Sequence, residues 1–199
     1  MPRPYTEIEK EKIREDLMIC VLKLIYKKGY IHTNITDIAK AAGTSKAYFY
    51  TIFPSKEVLI AEALKKQQRT AVQTAKEIGA VQGLSQREKL TDFLNWLVTA
   101  INHTFFFLTS GEAGIVSRKL SEKEREQFFN NLIKQQKELL SALSIHLSEA
   151  DVRVFGNLLI NLFMVCSSRE KDHCYYEASY DDMINQLVRG IIEFVDSRK

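Results

Sequence analysis

The chain has 199 residues, which is enough for one large domain or two small ones. Hydrophobic residues make up 45% and charged residues 27%, a balance that is typical of globular proteins and excludes a largely disordered chain. All three prolines lie in the first third of the sequence, at Pro2, Pro4 and Pro54. Because turn-rich β folds rarely continue for so long without proline, we predict an all-α fold.

The net charge of +3 is small, but it is unevenly distributed. Residues 1–66 contain 12 Lys and Arg against 8 Asp and Glu, whereas the remaining residues contain 16 against 17. The positive excess therefore lies in the N-terminal third, where it would favour an interaction with nucleic acid.

The sequence does not favour a membrane span, a disulfide framework or a metal site. No apolar run approaches the roughly 18 residues that a membrane span needs, and the first twelve residues lack the apolar region of a secretory signal. We therefore expect a cytoplasmic protein.

The three cysteines, Cys20, Cys166 and Cys174, are an odd number at irregular spacing. Cys166, His173 and Cys174 lack a second paired motif, so we expect no metal and no cofactor.

The helices are predicted from apolar repeats at three- and four-residue steps and from their capping residues. A hydroxyl followed three residues later by a carboxylate marks three helix starts, at Thr6, Ser85 and Ser121. We predict helices at residues 6–28, 33–43, 46–53, 56–78, 85–108, 121–146, 148–168 and 181–195. Thr33 is the expected cap of the second helix, and Gly29 is the expected left-handed stop of the first. Residues 110–118 form either a short helix or an irregular turn.

Thr33 to Phe53 predict a helix-turn-helix, because two short helices flank a glycine-containing turn. The apolar residues that would form the shared core are Ile35, Ile38, Ala39, Ala42, Phe49 and Phe53. The opposite face of the second helix would then present hydroxyls, one cation and small side chains, which suit phosphate and base-edge contacts in a major groove. That face consists of Ser45, Lys46, Ala47, Tyr48, Tyr50 and Thr51.

Residues 38–59, IAKAAGTSKAYFYTIFPSKEVL, resemble the N-terminal DNA-binding motif of the TetR family of transcriptional regulators. The shared features are Ile-Ala before Ala-Ala-Gly, Ser-Lys at the start of the second helix, Tyr three residues before Phe, and Ser-Lys-Glu before an apolar pair. The resemblance extends over about residues 10–64.

The resemblance implies two domains. Residues 1–55 would form a three-helix DNA-binding domain with the helix-turn-helix, and residues 56–199 a larger helical domain for ligand binding and dimerisation. Helix 56–78 would link them. The implied protein is a ligand-responsive repressor that binds double-stranded DNA at a palindromic operator as a homodimer.

The resemblance also implies which residues contact DNA. Tyr50 would donate its hydroxyl to a phosphate, and Lys56 would contribute a charge at a helix N-terminus. Tyr48 is larger than the residue usual in the family, so it would either stack on a thymine methyl group or fold back over its helix. The full set is Thr33, Thr36, Thr44, Ser45, Lys46, Ala47, Tyr48, Tyr50, Thr51 and Lys56.

Two helices of the C-terminal part have broad apolar faces that would pair in a dimer. The expected interface residues are Phe155, Leu158, Leu159, Leu162, Ile184, Leu187, Ile191 and Val195; the alternative is that both faces are buried within one subunit. An apolar pocket with few polar anchors would take a neutral or lipophilic effector. The alternative is ordinary core, which an aromatic stripe at helical spacing more often marks. The candidate pocket residues are Phe93, Trp96, His103, Phe107, Phe128, Asn157, Asn161 and Met164.

Two other interpretations remain. One is a DNA-binding regulator without a small-molecule ligand, and the other is a helical ligand-binding protein or carrier with a vestigial DNA-binding head. An enzyme is not favoured, because the sequence has no Gly-rich phosphate loop, no nucleophile elbow and no His-Glu-x-x-His pair.

Overall fold

The structure is a computed structural model that describes residues 5–103, 108, 110–166 and 179–198, with the side chains of residues 102, 103 and 110 left aside. Within these ranges the chain forms α-helices and no strand. The predicted all-α fold is therefore confirmed. The helices are α1 (Glu7–Lys28), α2 (Ile35–Ala41), α3 (Lys46–Ile52), α4 (Lys56–Gly79), α5 (Gln86–His103), α6 (Ser110–Lys119), α7 (Glu122–Ala142), α8 (Glu149–Cys166) and α9 (Tyr180–Asp196).

The chain divides into two compact units. The first unit contains Met1–Lys66 and Leu108–Glu126, and the second contains Gln67–Phe107 and Gln127–Lys199. Residues 110–118, for which the sequence left a short helix or an irregular turn open, lie in helix α6. Among the described helices that follow α4, only α6 lies wholly in the first unit. The first unit is thus built from residues far apart in sequence.

The capping boxes form as expected. The Glu9 backbone N–H donates to the Thr6 hydroxyl at 3.3 Å, and the Thr6 N–H donates to the Glu9 carboxylate at 2.8 Å. The same reciprocal pairs join Ser85 with Glu88 and Ser121 with Glu124. Each pair satisfies backbone N–H groups that the first helical turn leaves without a partner, so these local signals fix three helix starts.

Two predictions around the start of α2 are wrong. Asn34, not Thr33, caps α2, because its side-chain oxygen accepts the Asp37 N–H at 2.9 Å. Thr33 is only 1% exposed, and its hydroxyl donates to the Gly29 carbonyl at 2.8 Å. Gly29 has φ +81° and ψ 160°, an extended positive-φ conformation rather than the left-handed helical one.

The C-terminus of α7 lies at Ala142, four residues before the predicted end. Ser144 takes a positive φ of 62°, the Ser144 N–H donates to the Ser141 carbonyl at 2.9 Å, and the Ile145 N–H donates to the Leu140 carbonyl at 2.8 Å. These bonds form a Schellman stop. Sequence analysis missed it because the left-handed position holds serine instead of glycine. Helix α5 likewise ends before the predicted Leu108, which is not helical.

Each unit has its own apolar core. In the first unit Leu17, Val21, Ile38, Phe49 and Leu59 are fully buried. In the second unit one cluster joins apolar residues from α4, α5, α7, α8 and α9. Gly79, at the end of α4, has no room for a side chain, since an added Cβ would lie 1.9 Å from the Ala142 carbonyl oxygen. No described helix is long and apolar enough to cross a membrane.

Candidate nucleic-acid interface

The turn between α2 and α3 has a fixed geometry. Gly43 takes φ +67°, and the Thr44 N–H donates to the Ala39 carbonyl at 2.9 Å. Ser45 then caps α3, since its hydroxyl accepts the Tyr48 N–H at 3.1 Å. The glycine supplies the positive φ and the serine satisfies the first turn of α3, so the local sequence determines the angle between the two helices.

Helix α3 is anchored by one buried side chain. Phe49 is fully buried and its ring centroid lies 6.1 Å from that of Phe53, which is buried just beyond the helix. The Arg14 guanidinium of α1 lies 4.7 Å from the Phe53 ring centroid. These contacts hold a seven-residue helix that would be unstable by itself.

The opposite face of α3 is exposed as the sequence predicted. Lys46, Ala47 and Thr51 are exposed, and the Tyr50 side chain is 50% exposed. Lys46 is the first residue of α3 and the only cation within that helix. The result is a short helix with one cation, one phenol and small side chains on its outer face.

Two hydroxyls of this face already have backbone partners. Thr51 donates its hydroxyl to the Tyr48 carbonyl at 2.6 Å, which commits its only proton. The Ser45 hydroxyl accepts a backbone N–H and still has its proton to donate. Ser45 can therefore donate to a phosphate in this conformation, whereas Thr51 cannot.

Tyr48 folds toward the N-terminus of α1. Its ring centroid lies 4.6 Å from that of Tyr5, with the rings inclined at 53°. The sequence left open stacking on a thymine methyl group or folding back over its own helix, whereas the ring contact in the structure is with Tyr5, which precedes α1. Sequence analysis missed Tyr5, which stands one residue before the capping Thr6, because no local pattern links it to α3.

The three threonines of the predicted set differ in accessibility. Thr36 is exposed in the first turn of α2. Thr44 is half-buried, and its hydroxyl oxygen is buried without a hydrogen-bond partner among the described residues. Thr33 is buried and its hydroxyl proton is used internally, so its side chain is not accessible to DNA in this conformation.

Lys56 points inward rather than toward a phosphate. Its ammonium donates to the Tyr30 carbonyl at 2.9 Å and to the Thr33 carbonyl at 2.7 Å, and lies 3.8 Å from the Tyr30 ring centroid. Burial lowers the pKa of Lys56 from its ordinary value, although the neighbouring Glu57 partly opposes that shift. The side chain thus fastens the turn before α2 to the start of α4.

Comparisons with known proteins agree with this geometry. Residues 22–63 match the family model for bacterial regulatory proteins of the tetR family. An uncharacterized HTH-type transcriptional regulator in the lacX 3′ region of Lactococcus lactis subsp. lactis is 30% identical over 145 residues, which cover 66% of this chain and 69% of the relative. The chain belongs to the tetR family of bacterial regulatory proteins.

Two further similarities differ in extent. The HTH-type regulator YuxN of Bacillus subtilis is 45% identical over 56 residues, so the match spans 28% of this chain and 18% of that relative. The structure of the tetR-family repressor FadR from Thermus thermophilus, in complex with lauroyl-CoA, has a TM-score of 0.57 and 16% identity over 91% of this chain and 94% of that one. This likeness supports the tetR-family fold over both units.

The residues predicted for the effector pocket lie in different surroundings. Phe93 is fully buried in the second core, Trp96 packs against that core, and Phe128 and Met164 are half-buried. Asn157 and Asn161 are exposed and bond to each other along α8, with 2.8 Å between the Asn161 side-chain nitrogen and the Asn157 carbonyl. The side chain of His103 and all of Phe107, like His173 and Cys174, lie outside the described residues.

Six of the eight residues predicted for the dimer interface belong to the core of the second unit instead. They are Phe155, Leu159, Leu162, Ile184, Ile191 and Val195. The intrasubunit alternative therefore holds for them, because apolar periodicity marks a buried face without showing what covers it. Leu158 and Leu187 remain partly exposed at the edge of that core.

Proposed function

We propose that this tetR-family protein represses transcription by inserting α3 into the major groove of a DNA operator. The observation that carries the proposal is the division of α3 into a buried side, anchored by Phe49, and an exposed side with Lys46 and Tyr50. A groove-reading helix needs both, since it must be held firmly and still approach the bases closely. Lys46 and Tyr50 would contact phosphates, and Ser45 would donate a further hydrogen bond.

The direct test is fluorescence anisotropy with the full-length protein and DNA that it selects from a random pool, beside scrambled DNA of equal length. We expect selective binding that weakens as salt is raised. Tyr50→Phe should lower the affinity about tenfold, because it removes one hydrogen bond to a charged phosphate. Lys46→Ala should reduce the slope of log affinity against log salt by about 0.9 per subunit.

Lys23→Ala is the matched control, since Lys23 is an exposed cation of α1 in the same unit. It removes the same charge and should leave most of the selectivity. Equal weak binding of the wild-type protein to selected and scrambled DNA would contradict the proposed function. Equal effects of Lys46→Ala and Lys23→Ala would contradict the assignment of α3 as the contacting helix.

We also propose a homodimer formed by a second apolar stripe on α8 and α9. On α8 the stripe contains Val154, which is 43% exposed, and the partly exposed Leu158 and Val165. On α9 it contains Leu187 and Phe194, also partly exposed, with the exposed Gly190 between them. Because α8 and α9 pack on each other, two copies related by a two-fold axis would bury both stripes in one four-helix contact and present two α3 helices to a palindrome.

Sedimentation of wild-type protein and of Leu187→Glu tests the dimer. The wild-type mass should be twice that of the chain, and Leu187→Glu should weaken association about a hundredfold or more, because a charge is buried without a partner in each half of the symmetric contact. Gln186→Glu adds the same charge at the neighbouring exposed position and should remain dimeric. A monomeric wild type, or equal dissociation of both variants, would contradict the proposal.

We further propose that an effector with an apolar part binds to the second unit. The buried cluster of that unit contains only apolar side chains, so a ligand that enters between its helices would exchange apolar contacts for apolar contacts. Repression would be relieved if the ligand favours a conformation in which the two α3 helices are wrongly spaced.

A thermal-shift screen tests the polarity of the effector. We expect compounds with a long apolar chain, with lauroyl-CoA as the first probe, to raise the melting temperature, because a ligand that binds only the folded state stabilises it. CoA without the acyl chain is the matched control and should have little effect. A response only to metabolites without an apolar chain, or an equal response to CoA and lauroyl-CoA, would contradict an effector that binds through its apolar part.

A further inference from the structure

Tyr30 lies in the turn between α1 and α2 and is only 4% exposed. Its polar atoms all have partners in the first unit. The Tyr30 N–H donates to the Glu112 carboxylate at 2.7 Å, its carbonyl accepts from the Lys56 ammonium at 2.9 Å, and its hydroxyl donates to the Glu57 carboxylate. One residue of the turn is therefore held at its backbone and at its side chain by three different charged groups.

Helix α6 supplies contacts from near both of its ends. Glu112, in the first turn, binds the Tyr30 backbone, and Lys119, the last residue, donates to the Tyr30 hydroxyl at 3.0 Å. The Lys119 ammonium also lies 3.7 Å from the Glu57 carboxylate and 5.4 Å from the Tyr30 ring centroid. Two attachment points fix the direction of α6 as well as its position.

The Glu57 carboxylate makes this arrangement sensitive to the loss of a partner. Burial acts to raise the pKa of Glu57, but the Tyr30 hydroxyl, the backbone N–H of Glu57 and the charges of Lys119 and Lys56 outweigh it and hold the pKa below its ordinary value. The carboxylate is therefore ionised although the residue is only 9% exposed. A buried charge that loses a hydrogen bond or a counterion forces its surroundings to move.

The same contacts hold the elements that flank α3. Tyr30 begins the turn that leads into α2, and the Lys56 ammonium binds the carbonyls of both Tyr30 and Thr33. Glu57 and Lys56 lie in the first turn of α4, directly after α3 and the Pro54 break. Helix α3 lies in the chain between α2 and the first turn of α4. Its position therefore depends on the contacts of Tyr30, which join that turn of α4 to the turn before α2.

We propose that Glu112 and Lys119 of α6 are positioning residues for DNA binding, which hold the helix-turn-helix in its DNA-competent geometry through Tyr30. The proposal rests on the proposed function of α3. It extends the DNA-binding machinery to a helix that follows α5 in the chain and lies outside the segment matched by the family model.

Lys119→Gln, measured by anisotropy on the selected DNA, is the first test. It should lower the affinity about tenfold, within the usual range of coupling between sites. Arg118→Gln is the matched control, because Arg118 is the adjacent exposed cation of α6 and its loss changes the net charge equally. Arg118→Gln should lower the affinity by less than twofold. Lys119→Arg should retain most of the wild-type affinity.

The salt dependence separates positioning from direct contact. If Lys119 acts through Tyr30, the slope of log affinity against log salt should be the same for wild type and Lys119→Gln. A slope reduced by about 0.9 per subunit would mean that Lys119 itself contacts a phosphate, and would overturn the proposed positioning role.

Glu112 offers an independent second test. Glu112→Gln keeps an oxygen that can accept the Tyr30 N–H and should retain DNA affinity, whereas Glu112→Leu removes the acceptor and should lower affinity about tenfold. Circular dichroism at the assay temperature confirms that each variant is folded. Equal affinities of the Gln and Leu variants, or equal losses for Lys119→Gln and Arg118→Gln, would overturn the proposal. These outcomes require a wild type that binds its DNA selectively, so failure of the proposed function is recognised separately.

Discussion

The buried ionised carboxylate of Glu57 constrains the whole first unit. It follows directly after Lys56, which binds the turn before α2, and it accepts the hydroxyl of Tyr30 from that same turn. A carboxylate in this environment is stable only while its donors and counterions remain in place. The start of α4, the start of α2 and the end of α6 must therefore keep one relative arrangement. Our proposal is that the exposed face of α3 binds DNA and that its position depends on this arrangement.

The contacts of Lys56 differ from those that the resemblance implied for the Ser-Lys-Glu segment. The resemblance assigned Lys56 to a phosphate, whereas its ammonium binds two backbone carbonyls and lies over the Tyr30 ring. The phosphate contacts that we propose are therefore made by groups that face outward, chiefly the exposed Lys46 and Tyr50 of α3. In the structure, the Ser-Lys-Glu segment thus fastens the start of α4 to the turn before α2.

Local features of the fold could be predicted from sequence, and features that depend on distant residues could not. The capping boxes at Thr6, Ser85 and Ser121 and the turn at Gly43 depend on neighbours a few residues away, so their patterns were sufficient. The cap at Asn34 could not be predicted, because the Thr33 hydroxyl instead donates a hydrogen bond to the Gly29 carbonyl. The partners of Tyr30 are 27, 82 and 89 residues away in sequence, and no periodicity reports such contacts. Apolar repeats on α8 and α9 marked a buried face, but the residues that cover it belong to the same subunit.

Native-state hydrogen exchange of residues 30–53 tests most directly whether α6 holds the DNA-binding helices in place. Wild type, Lys119→Gln and Arg118→Gln would be compared under conditions in which all three remain folded. The account predicts faster exchange across this segment in Lys119→Gln alone, because releasing Tyr30 lowers the free energy of local opening. Equal exchange in the two variants would show that Lys119 does not stabilise the helix-turn-helix, and would contradict the account.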